Sequence, residues 1–339
     1  MNKLAIALLS GGASSERRVS QESGNQVLNA LDKDKYRIMP YDPLTDLGKL
    51  VADAPIIDAA LIILHGPMGE DGTIQGILDL LDIPYQGSGV LGSALAMNKL
   101  VSKQLYEKAG LPVPRYHALS RGDAVLTDQY VDSLGIPLVV KPVVGGSSIG
   151  MSLVKSKEEL APAIEKAFEQ DRSVLIERYI QGTELTCSVM GNDQLETFPV
   201  VEIIPEKGHD FFDYEAKYNA GACREICPAN IDEAVSEAVK SIAKIAHTAL
   251  HCRGYSRTDF ILSSATSSHP ELFVIETNTI PGMTQTSLLP QSAAAVGIDF
   301  SSLLDKLIYL GLEEHTKKSQ IRDQQRLERI LQAMPHLLQ

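Results

Sequence analysis

Arg257-Thr258-Asp259 and Glu276-Thr277-Asn278 are the most informative segments of this 339-residue chain. Each lies in an apolar, strand-like run, and Pro281-Gly282-Met283-Thr284 follows the second. Because side chains alternate along a strand, the first and third residues of each tripeptide share one face. We therefore expect two neighbouring strands that present two carboxylates and an amide together, a set of hard oxygen ligands suited to Mg²⁺. An apolar strand pair has no structural reason to bury these groups in one place without a cation.

The N-terminal part alternates between short apolar strands and helices. The pattern predicts strands at 3–9, 36–41 and 59–64, and helices at 17–31 and 73–81. Such βαβ alternation predicts a parallel sheet, with ligands bound at the carboxyl ends of its strands. Gly11-Gly12-Ala13-Ser14-Ser15-Glu16 and His65-Gly66 lie at such ends.

A second unit begins near Asn98. The pattern predicts helices at 99–109 and 157–170 and strands at 138–141, 151–154 and 173–180. Lys141 ends the first strand, shortly before the loop Gly145-Gly146-Ser147-Ser148-Ile149-Gly150, and Lys99 opens the first helix. Glycines let backbone N–H groups approach phosphate oxygens, and lysines supply positive charge, so these residues predict a phosphate site.

The third unit contains predicted strands at 184–190, 197–204, 258–262 and 272–276 and a helix at 231–250. At its border, the carboxylates of Glu177 and Glu184 and the strand edge near Ile180 can read an adenine amino group and ribose hydroxyls. A long polar segment at about 206–222 carries four aromatic residues, which favours a functional lid; they are Phe211, Phe212, Tyr214 and Tyr218.

Composition narrows the class of protein. With 44% apolar and 22% charged residues the chain is globular, and at this length it contains two or three domains. Its apolar runs are strand-sized, far short of the roughly 18 residues that span a membrane. The net charge of −12 disfavours a nucleic-acid partner. Four cysteines without framework spacing predict a reducing, cytoplasmic location.

One motif favours a different protein class. Gly87-Ser88-Gly89-Val90-Leu91-Gly92 fits the dinucleotide-binding pattern, but it does not follow a convincing strand and is not in the first βα turn. A dehydrogenase with a Rossmann fold therefore stays open only as a distant alternative.

Taken together, the motifs resemble the D-alanine–D-alanine ligase family of the ATP-grasp superfamily, from residue 3 to about 312. Further motifs carry the resemblance: Val19-Ser20, Gly69-Glu70-Asp71-Gly72, Tyr214-Glu215-Ala216-Lys217-Tyr218 and Ser287-Leu288. The resemblance implies an α/β fold, which is α+β in the ATP-grasp part, with three domains. These are an N-terminal α/β substrate domain at 1–97, a central ATP-grasp domain at 98–183, and a C-terminal ATP-grasp domain at 184–312 that carries the lid and the metal site.

The resemblance also implies an ATP site and a metal site. The family's roles fall on Lys99, Lys141 and Lys217 for the phosphates, Glu177 and the Ile180 backbone for adenine, Glu184 for ribose, and Phe211 as a further nucleotide-binding residue. Two Mg²⁺ or Mn²⁺ ions would be held by Asp259, Glu276, which bridges them, and Asn278.

The amino-acid substrates are implied in the same way. Glu16, supported by His65, would meet the first D-alanine's ammonium, and Ser147 and Tyr218 would hydrogen-bond with Glu16. Ser287 and the Leu288 N–H would hold the second D-alanine's carboxylate. Arg257 and the Gly282 N–H would form an oxyanion site. The implied activity is ATP-dependent synthesis of D-alanyl-D-alanine, for peptidoglycan precursors, through an acyl phosphate.

Two alternatives within this fold stay open. One is a depsipeptide ligase that accepts D-lactate, although that specificity goes with a lid lacking the Lys217-Tyr218 pair. The other is a nucleotide-binding module without turnover, although such a module should have lost Arg257 or a metal ligand. The chain departs from many relatives at Val143-Val144-Gly145, which puts fine positioning near the phosphate loop in question.

The last residues extend beyond the family's usual final helix. Within 313–339 six apolar residues recur at helical spacing, which predicts an extra amphipathic helix on the body or on a second subunit; they are Leu327, Ile330, Leu331, Met334, Leu337 and Leu338. We expect a homodimer.

Overall fold

The computed structural model describes residues 3–205, 223–263 and 270–333, and side chains as far as residue 321. The predicted lid, with Phe211, Lys217 and Tyr218, lies outside the described residues. No helix in the described ranges is long and apolar enough to cross a membrane.

The N-terminal sheet is parallel, as the alternation predicted, with strand order β2-β1-β3. Its strands are β1 (Leu4–Leu9), β2 (Tyr36–Tyr41) and β3 (Ala59–Ile62). The helices of this part are α1 (Arg17–Ala30), α2 (Pro43–Asp53), α3 (Thr73–Leu80) and α4 (Val90–Met97). The glycine motif at 87–92 runs into the start of α4, far from the first βα turn.

The second sheet is antiparallel, with order β4-β7-β5-β6. Its strands are β4 (Tyr116–Ser120), β5 (Leu138–Pro142), β6 (Ser152–Val154) and β7 (Ser173–Arg178). The helices are α5 (Lys99–Lys108), α6 (Thr127–Leu134) and α7 (Leu160–Phe168). Lys141 therefore lies in β5, and the glycine-rich loop connects β5 to β6.

The third sheet is also antiparallel, with order β11-β10-β8-β12-β13 and with β9 paired to β8. Its strands are β8 (Gly182–Gly191), β9 (Glu196–Thr197), β10 (Val201–Pro205), β11 (Cys223–Ile226), β12 (Gly254–Ser263) and β13 (Leu272–Asn278). Helices α8 (Glu233–Ala249) and α9 (Leu288–Ala294) accompany it. The predicted strand at 197–204 is two strands, because Pro199 has no N–H for a continuous ladder.

The last helix, α10 (Phe300–Ala333), packs against the first sheet. Leu303, Leu304, Leu307 and Ile308 share one buried cluster with Ile6 and other residues of β1, β3 and α1. The helix passes residue 313 without interruption, so the predicted extension begins as a continuation of α10. The two ends of the described chain thus complete one core.

Leu307→Ala is expected to lower the free energy of unfolding by about 2–5 kcal/mol, because it empties a fully buried position between α10 and the first sheet. Ile321→Ala, on an exposed position of the same helix, should change it by less than about 0.5 kcal/mol. Urea unfolding followed by circular dichroism measures both, and equal losses would contradict the placement of α10 in this core.

Candidate active site

The β12–β13 ladder brings the two tripeptides together. Asp259 pairs with Glu276, and Arg257 pairs with Asn278. The guanidinium of Arg257 donates two hydrogen bonds to the Asp259 carboxylate, from Nε to Oδ1 at 2.9 Å and from Nη2 to Oδ2 at 2.8 Å. Burial acts to lower the pKa of Arg257, but the Asp259 carboxylate outweighs it and raises the pKa above its usual value. Arg257 is therefore a fixed cation.

The chemistry of this strand pair suits a divalent cation. Asp259 and Glu276 supply carboxylates, and Asn278 supplies an amide whose Nδ2 lies 3.1 Å from Asp259 Oδ2. A flip of that amide by about 180° exchanges Nδ2 and Oδ1 and brings the oxygen to this position instead. Among the described residues no group of three His, Cys, Asp or Glu side chains could hold a metal. A divalent cation held here would therefore need phosphate or water oxygens to complete its coordination.

Glu16 lies buried where two glycine backbones meet. A Cβ atom built on Gly66 or on Gly146 would come within 2.7 Å of its Oε2 atom. The hydroxyl of Ser147 donates a hydrogen bond to Glu16 Oε1. Ser147 itself has a left-handed backbone, with φ of +50°, which is uncommon without glycine and marks a strained loop. Of the residues predicted to meet at the first substrate, Glu16 and Ser147 are therefore in contact, whereas Tyr218 lies outside the described residues.

His65 and Glu70 lie beside Glu16. Burial lowers the pKa of His65 although Glu16 opposes this, which favours the neutral imidazole. Its Nε2 has no hydrogen-bond partner in the described part of the chain and is available to a ligand. Glu70 accepts hydrogen bonds from the N–H groups of Gly66 at 2.8 Å and Ile280 at 3.3 Å. Burial, with the nearby Glu16 carboxylate, raises the pKa of Glu70 to about 8.

These groups line a cavity of about 340 Å³. Gly282 and Ser287 also line it, and a Cβ on Gly282 would come within 2.9 Å of Ser287 Oγ. Ser287 Oγ accepts a hydrogen bond from the Thr284 N–H at 3.0 Å, and Ser287 immediately precedes α9, which begins at Leu288. Apart from Tyr218, which lies outside the described residues, the predicted substrate-binding and oxyanion residues line this cavity; they are Glu16, His65, Ser147, Arg257, Gly282, Ser287 and Leu288.

A second cavity of about 170 Å³ lies between the two antiparallel sheets. Its walls are mainly apolar, with Ile149, Met151 and Phe260 among them, and the predicted nucleotide residues supply the polar groups. Those residues are Lys99, Lys141, Glu177, Ile180 and Glu184. Lys141 Nζ lies 3.1 Å from Glu177 Oε2.

The two cavities adjoin. Both are lined by Lys99, Ser147 and Glu276. Lys99 Nζ donates a hydrogen bond to the Gly145 carbonyl oxygen at 2.5 Å and lies 3.9 Å from Glu276 Oε2. A ligand in the smaller cavity can therefore meet a ligand in the larger one beside a lysine and a carboxylate.

Sequence reasoning gave no role to three buried groups near these cavities. Glu70 belongs to a quoted motif, but its raised pKa depends on burial. Lys103 lies 3.2 Å from Glu177 Oε1. Glu225 lines the larger cavity, accepts a hydrogen bond from Gln291, and has its pKa raised by burial. Of these three residues, only Glu70 could have been singled out from the sequence, because it belongs to a motif that carries the family resemblance.

Two models of protein families match the sequence of this chain. A model described as D-ala D-ala ligase C-terminus matches residues 105–309, and one described as D-ala D-ala ligase N-terminus matches residues 45–88. The chain belongs to the D-alanine–D-alanine ligase family. The α/β fold and the family resemblance drawn from the motifs are thereby confirmed.

Individual members of the D-alanine–D-alanine ligase family are similar over nearly the whole chain. A D-alanine–D-alanine ligase of Syntrophobacter fumaroxidans is 57% identical over 312 residues, which are 92% of this chain and 99% of that protein. The crystal structure of the Bacillus anthracis ligase complexed with ATP has a TM-score of 0.79 at 38% identity, covering 93% of this chain and 99% of that one. The VanG D-Ala:D-Ser ligase of Enterococcus faecalis has a TM-score of 0.78 at 33% identity, covering 91% and 100%.

Glu70 is expected to make stability fall as pH rises. Its pKa is about 8 in the folded chain against 4.5 as an ordinary glutamate. The folded protein therefore holds an extra proton between these values, and the stability this gives is complete below pH 4.5 and lost as pH rises through 8.

From pH 5 to pH 8 the Glu70→Gln variant should gain about 2 kcal/mol in free energy of unfolding relative to the unaltered chain, allowing for partial exposure of Glu70 to the cavity. Urea unfolding at both pH values measures the difference. Parallel pH dependence of the two proteins would contradict the raised pKa.

Proposed function

We propose that this chain joins two D-alanine molecules into D-alanyl-D-alanine, for peptidoglycan precursors, with hydrolysis of ATP to ADP and phosphate. The observation that carries the proposal is the junction of the two cavities at Lys99, Ser147 and Glu276. A nucleotide in the smaller cavity would direct its terminal phosphate towards an amino acid held in the larger one. Family membership supplies the independent support.

The smaller cavity suits ATP. Its apolar walls would enclose the base, with Glu177 and the Ile180 backbone at the adenine edge and Glu184 at the ribose. Lys99 and Lys141 would bind phosphate oxygens, and we assign Lys217 and Phe211 to the same nucleotide. Asp259, Glu276 and Asn278 would hold two Mg²⁺ or Mn²⁺ ions, whose positive charge would stabilise the transferring phosphoryl group.

The larger cavity suits amino acids because several acidic side chains line it. Glu16, Glu22 and Glu225 are among them, together with Glu70, whose carboxyl group is mainly protonated at pH 7. Glu16 would bind the first D-alanine's ammonium, with the unpartnered Nε2 of His65 beside it. Ser287 and the Leu288 N–H at the start of α9 would bind the carboxylate of the second D-alanine.

The chemistry has two steps. The first D-alanine's carboxylate oxygen attacks the γ-phosphorus, the bond to the β-phosphate oxygen breaks, and ADP leaves. The second D-alanine's amine then attacks the acyl carbonyl, loses its proton, and phosphate leaves with the electrons of the carbon–oxygen bond. Arg257, fixed by Asp259, and the Gly282 N–H would meet the oxyanion as its charge develops. Ser147 and Tyr218 would orient Glu16.

The basic test is phosphate release from ATP with Mg²⁺ and D-alanine. L-Alanine in place of D-alanine should give only background release. Binding of ATP without any D-alanine-dependent release would favour the module without turnover. The homodimer and the cytoplasmic location stay predictions, which sedimentation and cell fractionation test.

Glu276→Gln is expected to lower turnover at least about a hundredfold, equivalent to roughly 2.7 kcal/mol of transition-state stabilisation. The change keeps the shape of the side chain but removes the charge between the two proposed cations. Glu271→Gln, exposed at the start of the same strand segment, is the matched control and should keep full activity. Near-normal turnover of Glu276→Gln at saturating Mg²⁺ would rule out the metal assignment.

The acceptor needs its own test, because the D-Ala:D-Ser ligase shares the fold. D-Alanine arrives as an ammonium, which a cationic imidazole would repel and an acidic cavity attracts. His65 is the histidine that lines the described cavity, and burial lowers its pKa, which disfavours the cationic imidazole. We therefore expect D-alanyl-D-alanine as the main product from pH 6 to pH 9, with little D-alanyl-D-lactate. The test supplies D-alanine and D-lactate together and analyses the products by mass spectrometry. Dominant depsipeptide at pH 6 would overturn this specificity while leaving the ligase mechanism intact.

A further inference from the structure

Lys103 is a buried lysine behind the nucleotide cavity. It lies in α5, four residues after Lys99, and its side chain is 0% exposed. Its ammonium lies 3.2 Å from Glu177 Oε1 and 5.4 Å from the centre of the Tyr116 ring. It does not line the cavity, whereas Lys141 and Glu177 do. A lysine is rarely buried this completely without a partner, because desolvation of an ammonium is costly.

The three charged groups form a small cluster. Glu177 lies between two ammonium groups, with Lys103 at one carboxylate oxygen and Lys141 at the other, 3.1 Å away. Burial acts to raise the pKa of Glu177, but Lys103 and Lys141 outweigh it and hold the pKa below its usual range. Burial lowers the pKa of Lys103, although the attraction of Glu177 opposes this. With both lysines protonated the cluster carries one surplus positive charge.

The two lysines of the cluster lie at different distances from the cavity. Lys103 faces the protein interior, where Glu177 is its ion-pair partner, while Lys141 reaches the cavity wall. If Glu177 had Lys141 as its sole counter-ion, that lysine would have to leave an ion pair in order to meet a phosphate. With Lys103 in place, Glu177 stays neutralised when Lys141 turns to the nucleotide.

We propose that Lys103 is a positioning residue that neutralises Glu177, leaving Lys141 to bind phosphate and Glu177 to accept a hydrogen bond from a 6-amino purine. The proposal rests on the proposed ATP site. Lys103 touches neither substrate; it acts through the two residues that do.

Base selection follows from the same arrangement. An ionised carboxylate can only accept hydrogen bonds, so it suits the 6-amino group of adenine and repels the 6-oxo group of hypoxanthine. Without Lys103, Glu177 would lose one of the two cations that keep it ionised. A protonated Glu177 could donate a hydrogen bond to a 6-oxo group. The preference of the enzyme for ATP over inosine triphosphate should therefore become smaller.

The test compares Lys103→Met with Lys108→Met, an exposed position on the same helix. Lys103→Met should raise KM for ATP and the Kd for ADP about tenfold, change kcat less than about threefold, and reduce the preference for ATP over inosine triphosphate about fivefold or more. Lys108→Met should change none of these. Equal behaviour of the two variants, or an unchanged nucleotide preference in Lys103→Met, would overturn the proposal.

A double-variant cycle separates charge balance from packing. In the Glu177→Gln background no carboxylate needs neutralising, so adding Lys103→Met should change the Kd for ADP less than about twofold. The same tenfold loss in both backgrounds would mean that Lys103 only fills space, and it would overturn the proposal. Because the double variant removes both charges of the Lys103–Glu177 pair, its comparison with Glu177→Gln stands even if Lys103→Met alone does not fold, and a tenfold difference between these two would by itself overturn the proposal. Failure of the unaltered chain to bind ATP or ADP would instead overturn the proposed function.

Discussion

The antiparallel register that sets Asp259 opposite Glu276 is the constraint on which the rest of the site depends. Two carboxylates on one face repel each other unless cations lie near them. Arg257 supplies one such charge from within the same strand, and Lys99 supplies another from α5. A slip of one residue in this ladder would turn the acidic groups towards the opposite face and separate them from both cations.

A second constraint is the close approach of three separate chain segments around Glu16. Gly66 follows β3, Gly146 belongs to the loop after β5, and Glu16 directly precedes α1. Any side chain at either glycine would occupy the space of the carboxylate. The loop that lines the smaller cavity therefore also forms a wall of the larger one, so Gly146 and Ser147 make a boundary that the two cavities share.

Sequence patterns located most of the strands and about half of the helices, because these elements are encoded locally. Alternation along β12 and β13 is enough to put the four polar side chains on shared faces, and no distant contact is needed. Helix α2 was missed because its face is weakly apolar, with Leu50 its one buried residue and Leu44 and Val51 exposed. Its Asp42 cap and Pro43 start were the available signals.

Long-range effects were beyond the sequence. The pairing of Ser147 with Glu16 spans 131 residues and was expected only through the family resemblance. From the sequence, Lys103 is indistinguishable from an ordinary polar residue on a helix. Its ion pair with Glu177 joins residues that are far apart in the chain, so no local pattern indicates it.

The packing of α10 on β1 has a consequence for synthesis on the ribosome. Ile6 and Leu8 bury themselves partly against Leu303, Leu307 and Ile308, which are translated about three hundred residues later. At roughly 5–20 residues per second, the apolar side of the first sheet waits between about a quarter of a minute and a minute for its cover. During that interval the nascent chain exposes part of the apolar surface of its first sheet, and exposed surface of this kind favours aggregation until the last helix covers it.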